Sequence, residues 1–172
     1  MNRNAHKKRA VLLTGTIVPN SVYTHHTDPS TRLKEYLFAI DYYCNLFKND
    51  DVYFLENSDF DLEKNSDYLK LSRSCRFTLL KFPQSQKFYE GKGYQEFEML
   101  DNAVEQLKDK YTSFIKLTGR YIISVCPKTR CLDGKIQFRG VLKKMIVRFT
   151  GVNERLFFLT QRRKWSFRPN TN

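Results

Sequence analysis

The chain has 172 residues, 41% of them hydrophobic and 15% aromatic, which is the length of one domain and too apolar for a disordered segment. Its net charge of +12 is unevenly spread: residues 1–120 carry 18 Lys/Arg against 16 Asp/Glu, and residues 121–172 carry 12 against 2. A near-neutral body with a basic C-terminal third points to an anionic partner, either nucleic acid or membrane headgroups, and no stretch approaches the roughly 18 apolar residues of a membrane span.

"RAVLLTGTIV" reads as a buried strand entering a tight loop at Thr14-Gly15-Thr16. "PNSVYTHHTDPS" is a loop punctuated by Pro19 and Pro29; its His25-His26 pair has no acid in sequence reach and is given no role. In "STRLKEYLFAIDYYCNLF" the apolar residues recur at helical spacing, with Ser30 or Thr31 as the expected cap. "DVYFLEN" is a second strand ending at Glu56-Asn57-Ser58, and the polar "SDFDLEKNSDYLKLS" suggests a loop and a short helix. "CRFTLLKFP" predicts a third strand closed by Pro83. The loop Gly91-Lys92-Gly93 then feeds a helix expected over about 94–109, and "YTSFIKLTGRYII" is a fourth strand carrying Thr118-Gly119-Arg120.

This order, β-α-β-(α)-β-α-β, predicts an α/β fold with a mostly parallel sheet flanked by helices. Ligands of such sheets bind at the carboxyl ends of the strands. Thr14-Gly15, Glu56-Asn57-Ser58, Gly91-Lys92-Gly93 and Thr118-Gly119-Arg120 are therefore expected along one edge. Glycines let backbone approach a phosphate, a helix N-terminus attracts anions, and Arg120 can fork onto phosphate. Glu96 and Glu98 both follow the loop, but their side chains diverge around the helix, so Glu96 is the one close to it.

Other candidates read mainly as surface. Asp59-Phe60-Asp61 is a triplet that can hold Mg²⁺ or Mn²⁺, but it lies among other acids in a polar loop. Cys44, Cys75, Cys126 and Cys131 form no Cys-x-x-Cys, and the N-terminal apolar run is too short for a signal h-region. The expectation is a cytoplasmic protein with reduced thiols. Beyond residue 125 a hairpin turn is possible at Asp133-Gly134. The block "KKMIVRF…RLFFLTQRRKWSFR" interleaves cations with aromatics, a composition suited to single-stranded nucleic acid or to an anionic bilayer surface.

Five segments, "VLLTGTI", "TRLKEYLFAIDYY", "DVYFLENS", "GKGYQEFEMLDNAVE" and "FIKLTGRYII", come in the order and spacing that resemble bacterial glycosyltransferases of capsule, lipopolysaccharide and O-antigen assembly. The matching elements are Glu56-Asn57-Ser58, Gly91 to Glu96, and Lys116 to Tyr121, within residues 10–125. The resemblance implies a GT-A-like, Rossmann-related core over residues 1–125, with residues 126–172 a basic segment of the same domain or a membrane-docking one. It implies a nucleotide-sugar donor, a UDP-sugar first, and a glycan or lipid-linked acceptor at the inner face of the membrane. Thr14, Gly15, Arg32, Asn57, Ser58, Lys92, Gly93, Lys116, Thr118, Gly119 and Arg120 are the implied donor-site residues, with Glu96 and then Glu56 as catalytic candidates. Thr-Gly-Arg stands where many GT-A enzymes carry a metal-binding Asp-x-Asp, so Mg²⁺ or Mn²⁺ is not expected to be required. The alternatives are a basic α/β nucleic-acid-binding module and a catalytically reduced transferase that acts as a scaffold.

Overall fold

Alternation along β1 (Arg9–Gly15) and β2 (Asp51–Glu56) decides how the layers form. Successive side chains of a strand point to opposite faces. Val11, Leu13, Val52 and Phe54 thus join Ile115 and Leu117 on one face, under α1 (Pro29–Leu46) and α2 (Ser66–Ser74). Ala10, Leu12, Tyr53, Leu55 and Phe114 lie on the other, under Met99, Leu100, Ala103, Val104 and Leu107 of α3 (Lys92–Leu107). The computed structural model describes residues 9–20, 24, 25 and 27–122 in full, together with the backbone of two further strands.

The sheet runs β3-β2-β1-β4-β6-β5, with β3 at Thr78–Lys81, β4 at Ser113–Thr118, β5 at Met145–Val147 and β6 at Arg155–Leu159. β1 to β4 are mutually parallel and β6 continues them beside β4, whereas β5 pairs antiparallel with β6 at the edge. The α/β class and the helix-flanked, mostly parallel sheet expected from the sequence are what is observed. Backbone of the basic segment therefore supplies two strands of the same sheet. Its side chains, with Cys126, Cys131, the Asp133-Gly134 turn and also His26, lie outside the described residues.

Three boundaries differ from the sequence reading. Asp28, not Ser30 or Thr31, caps α1: its carboxylate accepts from Thr31 N at 2.8 Å, and Pro29 takes the first helical position. Pro29 begins the helix because its fixed φ suits that position and no N–H is needed there. Helix α3 begins at Lys92, with Gly91 as its N-cap at φ 89°. Glycine is the residue that adopts this conformation without strain, and Gly93 is already helical. Strand β3 is confined to Thr78–Lys81, shorter than the 75–83 expected.

The polar stretch after β2 forms a 3₁₀ turn at Leu62–Lys64 and then α2. Asn65 caps α2, its Oδ1 accepting from the N–H groups of Asp67 and Tyr68, both at 3.0 Å. Asn65→Ala is expected to lower stability by about 1 kcal/mol, measurable by urea unfolding; an unchanged midpoint would refute the cap.

Candidate functional site

The chain turns β1→β2→β3 to one side of β1 and then crosses to β4 on the other, so the order reverses between β1 and β4. Open α/β sheets form a ligand crevice at such a point, outside the carboxyl ends of the strands. A cleft of about 380 Å³ opens there, lined by Thr14, Gly15 and Thr16 from the end of β1, Thr118, Arg120 and Tyr121 from the end of β4, and the first turns of α3. Its size lies within the range of small-molecule sites.

Glu96 is the centre of the cleft's polar chemistry. The β4 pleat points Lys116 to the same face as Phe114, toward α3. Its ammonium, on a side chain only 5% exposed, meets Glu96 Oε1 at 2.7 Å. Thr14 donates its hydroxyl to the same oxygen at 2.5 Å. Strands β1 and β4 thus fix the carboxylate from below, while Glu96 Oε2 has no partner among the described residues. Glu98 does not line the cleft.

Two further cations differ in how free they are. Arg120 donates through Nε to Glu35 Oε2 at 2.6 Å, and its terminal nitrogens make no hydrogen bond among the described residues. Lys92 is exposed and enters no ion pair among the described residues. The first bond of α3 runs from Gln95 N to Gly91 O at 3.3 Å, and Gly91 as N-cap offers no side chain to cap the helix. The N–H groups of Lys92, Gly93 and Tyr94 therefore have no intrahelical acceptor, and the positive end of the helix dipole faces the cleft.

Arg32 lines the cleft but is used differently. It is buried, donates through Nε to Thr16 O at 2.8 Å, and also binds the Tyr36 hydroxyl at 3.2 Å. Tyr36 in turn accepts from Thr16 N at 2.9 Å and donates to Thr16 O. Burial pushes the Tyr36 phenol up from its ordinary pKa, which keeps it a neutral donor. Together these two α1 side chains hold the loop leaving β1.

Glu56, Asn57 and Ser58 do not line the cleft. Glu56 is 1% exposed. It accepts from Ile17 N at 3.2 Å and Ser58 N at 3.0–3.1 Å, and it binds the Ser58 hydroxyl, whose oxygen accepts from Ile17 N and Val18 N. Asn57 Oδ1 accepts from the Thr16 hydroxyl at 2.6 Å. The triplet clamps the β1 loop from β2, so it shapes the cleft from behind. Lys116 and Gly119 also lie outside the lining, Lys116 acting through Glu96.

The glycines at the strand ends answer to packing. A Cβ on Gly119 would sit 2.9 Å from Thr14 O, because Gly119 N donates to that carbonyl at 2.9 Å. A Cβ on Gly15 would lie 2.5 Å from the Phe54 ring. Gly93, by contrast, faces open space beside the cleft.

No protein family, curated protein or solved structure matches this chain. The functional reading therefore rests on the site itself. Of the residues singled out from sequence, Thr14, Gly15, Arg32, Lys92, Gly93, Glu96, Thr118 and Arg120 share the cleft. Thr16, Tyr36, Gln95 and Tyr121 also line it, though none of them is among the expected donor-site residues. Two signals were available: Tyr36 lies one turn beyond Arg32 on the same helix face, and Gln95 directly precedes Glu96. Asp59 and Asp61 stand outside the cleft. Asp61 is tied to Lys64 at 2.7 Å, which lowers its pKa. Among the described residues no group of three His, Cys, Asp or Glu is arranged to hold a metal ion.

Proposed function

We propose that the cleft binds a nucleotide sugar and that the protein is a glycosyltransferase of GT-A-like fold, transferring the sugar to a surface-polysaccharide or lipid-linked acceptor. The observation that carries this reading is the pairing, within one cleft, of an anion site and a fixed carboxylate. The uncapped N-terminus of α3, Lys92 and the Arg120 guanidinium supply positive charge for a diphosphate. Glu96, anchored on one oxygen and open on the other, supplies an acceptor for sugar hydroxyls. A UDP-sugar has both ends.

In the proposed reaction an acceptor hydroxyl attacks the anomeric carbon, the bond to the phosphate oxygen breaks, the nucleoside diphosphate leaves, and the hydroxyl proton passes to the departing diphosphate or to water. Charge grows on that leaving oxygen, where preorganised cations and N–H groups lower the barrier. The anchoring of Glu96 by Lys116 and Thr14 suits hydroxyl contact better than proton abstraction. Glu56, saturated by loop N–H groups, fits a structural role. No helix among the described residues is long and apolar enough to cross a membrane. The basic C-terminal third is proposed to bring the enzyme to anionic headgroups at the inner face of the membrane.

Thermal-shift titration with UDP, UDP-sugars and the corresponding nucleotides, with and without Mn²⁺, tests the reading. Stabilisation by a nucleotide sugar is expected without metal, whereas no response to any nucleotide would overturn it. Lys92→Ala and Arg120→Ala should each weaken nucleotide binding by about 1–3 kcal/mol, read by calorimetric titration. Unchanged affinity in both would remove the diphosphate assignment.

A further inference from the structure

Gln95 is a polar residue only 5% exposed, and it lines the cleft beside Glu96. Its Nε2 donates to Asn20 Oδ1 at 3.0 Å, tying α3 to the loop after β1. Its Oε1 has no partner among the described residues. A buried amide oxygen left without a donor is destabilising, and native structures rarely keep one without a reason.

The Asn20 contact uses the amide nitrogen and leaves the acceptor end for the cleft. Glu96 shows the same arrangement: Oε1 is held by Thr14 and Lys116, and Oε2 is free among the described residues. Two consecutive residues of α3 thus each spend one polar atom on the scaffold and offer the other as an acceptor. Both open atoms want donors, and neither suits a phosphate, which brings only acceptors. The phosphate-binding groups, Lys92 and the first N–H groups of α3, lie one turn earlier.

We infer that Gln95 and Glu96 form a sugar-hydroxyl subsite, in which the Gln95 amide oxygen is a specificity-determining contact for the transferred hexose. This rests on reading the cleft as a nucleotide-sugar site. A site built to accept hydrogen bonds from a hydroxyl rejects an analogue that lacks it, because its buried acceptors are then left unpaired. The donor half of the cleft therefore separates into a charge-reading end and a hydroxyl-reading end.

Calorimetric titration of the full chain and of Gln95→Met with UDP, UDP-glucose, UDP-galactose and UDP-N-acetylglucosamine tests this. Methionine keeps the length and apolar packing and removes both amide ends. The wild-type chain is expected to bind at least one UDP-sugar more tightly than UDP. In Gln95→Met that advantage should fall about tenfold, with UDP affinity within about threefold of wild type. An advantage that survives in Gln95→Met overturns the inference, as does an equal loss for UDP and UDP-sugar, which marks a purely structural residue. Wild-type binding of UDP with no preference for any UDP-sugar removes the hydroxyl subsite and leaves the nucleotide site standing. Wild-type indifference to every nucleotide overturns the parent reading and the inference with it.

Discussion

Glu96→Leu is expected to lower the melting temperature by about 5–10 °C, which for a chain of this size corresponds to about 2–3 kcal/mol. The substitution takes the carboxylate away from the Lys116 ammonium, which it meets at 2.7 Å on a side chain only 5% exposed. A buried charge deprived of its counter-charge is strongly destabilising, whereas replacing both members of such a pair with apolar residues is often neutral. Glu96 itself is 35% exposed on its side chain, so the expected loss falls below that of a fully buried pair. Glu96→Leu combined with Lys116→Met should regain most of the lost stability while leaving the proposed sugar binding abolished. If the single variant melts within 1 °C of wild type, the pair does not hold α3 to β4. If the double variant binds nucleotide sugar normally, the cleft assignment of Glu96 fails.

Gly15→Ala is expected to destabilise by about 2–3 kcal/mol, a large effect for one methyl group. The added Cβ would stand 2.5 Å from two carbons of the Phe54 ring and 3.1 Å from Tyr36. Phe54 is fully buried on β2, and its ring packs against that of Tyr36 at 5.4 Å between centroids. Neither ring can swing away: Phe54 lacks space, and Tyr36 is bound at both ends of Thr16. A shift of Tyr36 would also loosen the loop that forms the cleft wall, so the proposed nucleotide binding should weaken in parallel. Denaturant unfolding measures the first effect. A second variant, Gly15→Ala with Phe54→Leu, should recover part of the loss if ring overlap is the cause. A Gly15→Ala chain within 0.5 kcal/mol of wild type would show that the strand ends relax more easily than this packing implies.

Gly15 also illustrates how far local sequence carries. In "VLLTGTIV" a glycine after an apolar run signals a turn, and close approach by a ligand is a reasonable expectation. That the approaching groups are the Phe54 and Tyr36 rings depends on how β2 and α1 fold back, 39 and 21 residues away. The same holds for Glu56-Asn57-Ser58. Its position after a strand was legible, and so was its place at the strand-end edge. Its work as a clamp on the Ile17 and Val18 N–H groups was not, because those partners come from the loop after β1, about 40 residues earlier in the chain. Arg32 is expected from the resemblance to be a donor-site residue, yet most of its fork is spent on Thr16 O and Tyr36. Lys116, within an apolar strand, gives no hint that its partner is Glu96 of α3, 20 residues earlier.

What the sequence determined by itself is the class of fold and the edge on which its polar loop residues collect. Strand and helix periods are local properties, and in "RAVLLTG" and "DVYFLE" alternate residues already sort to two faces, each needing a helix to cover it. Parallel strands joined by helices then bring their carboxyl ends to one side. Only the tertiary structure decided which polar residues of that edge meet. The strand order places β4 beside β1, and this brings Thr14 to Glu96 across 82 residues. It also turns Lys116 under α3 and leaves one oxygen each of Gln95 and Glu96 open to the cleft. Hydrogen bonds and ion pairs act over a few ångströms, so the pairing of distant residues follows from the register of the sheet and is not written in any one segment.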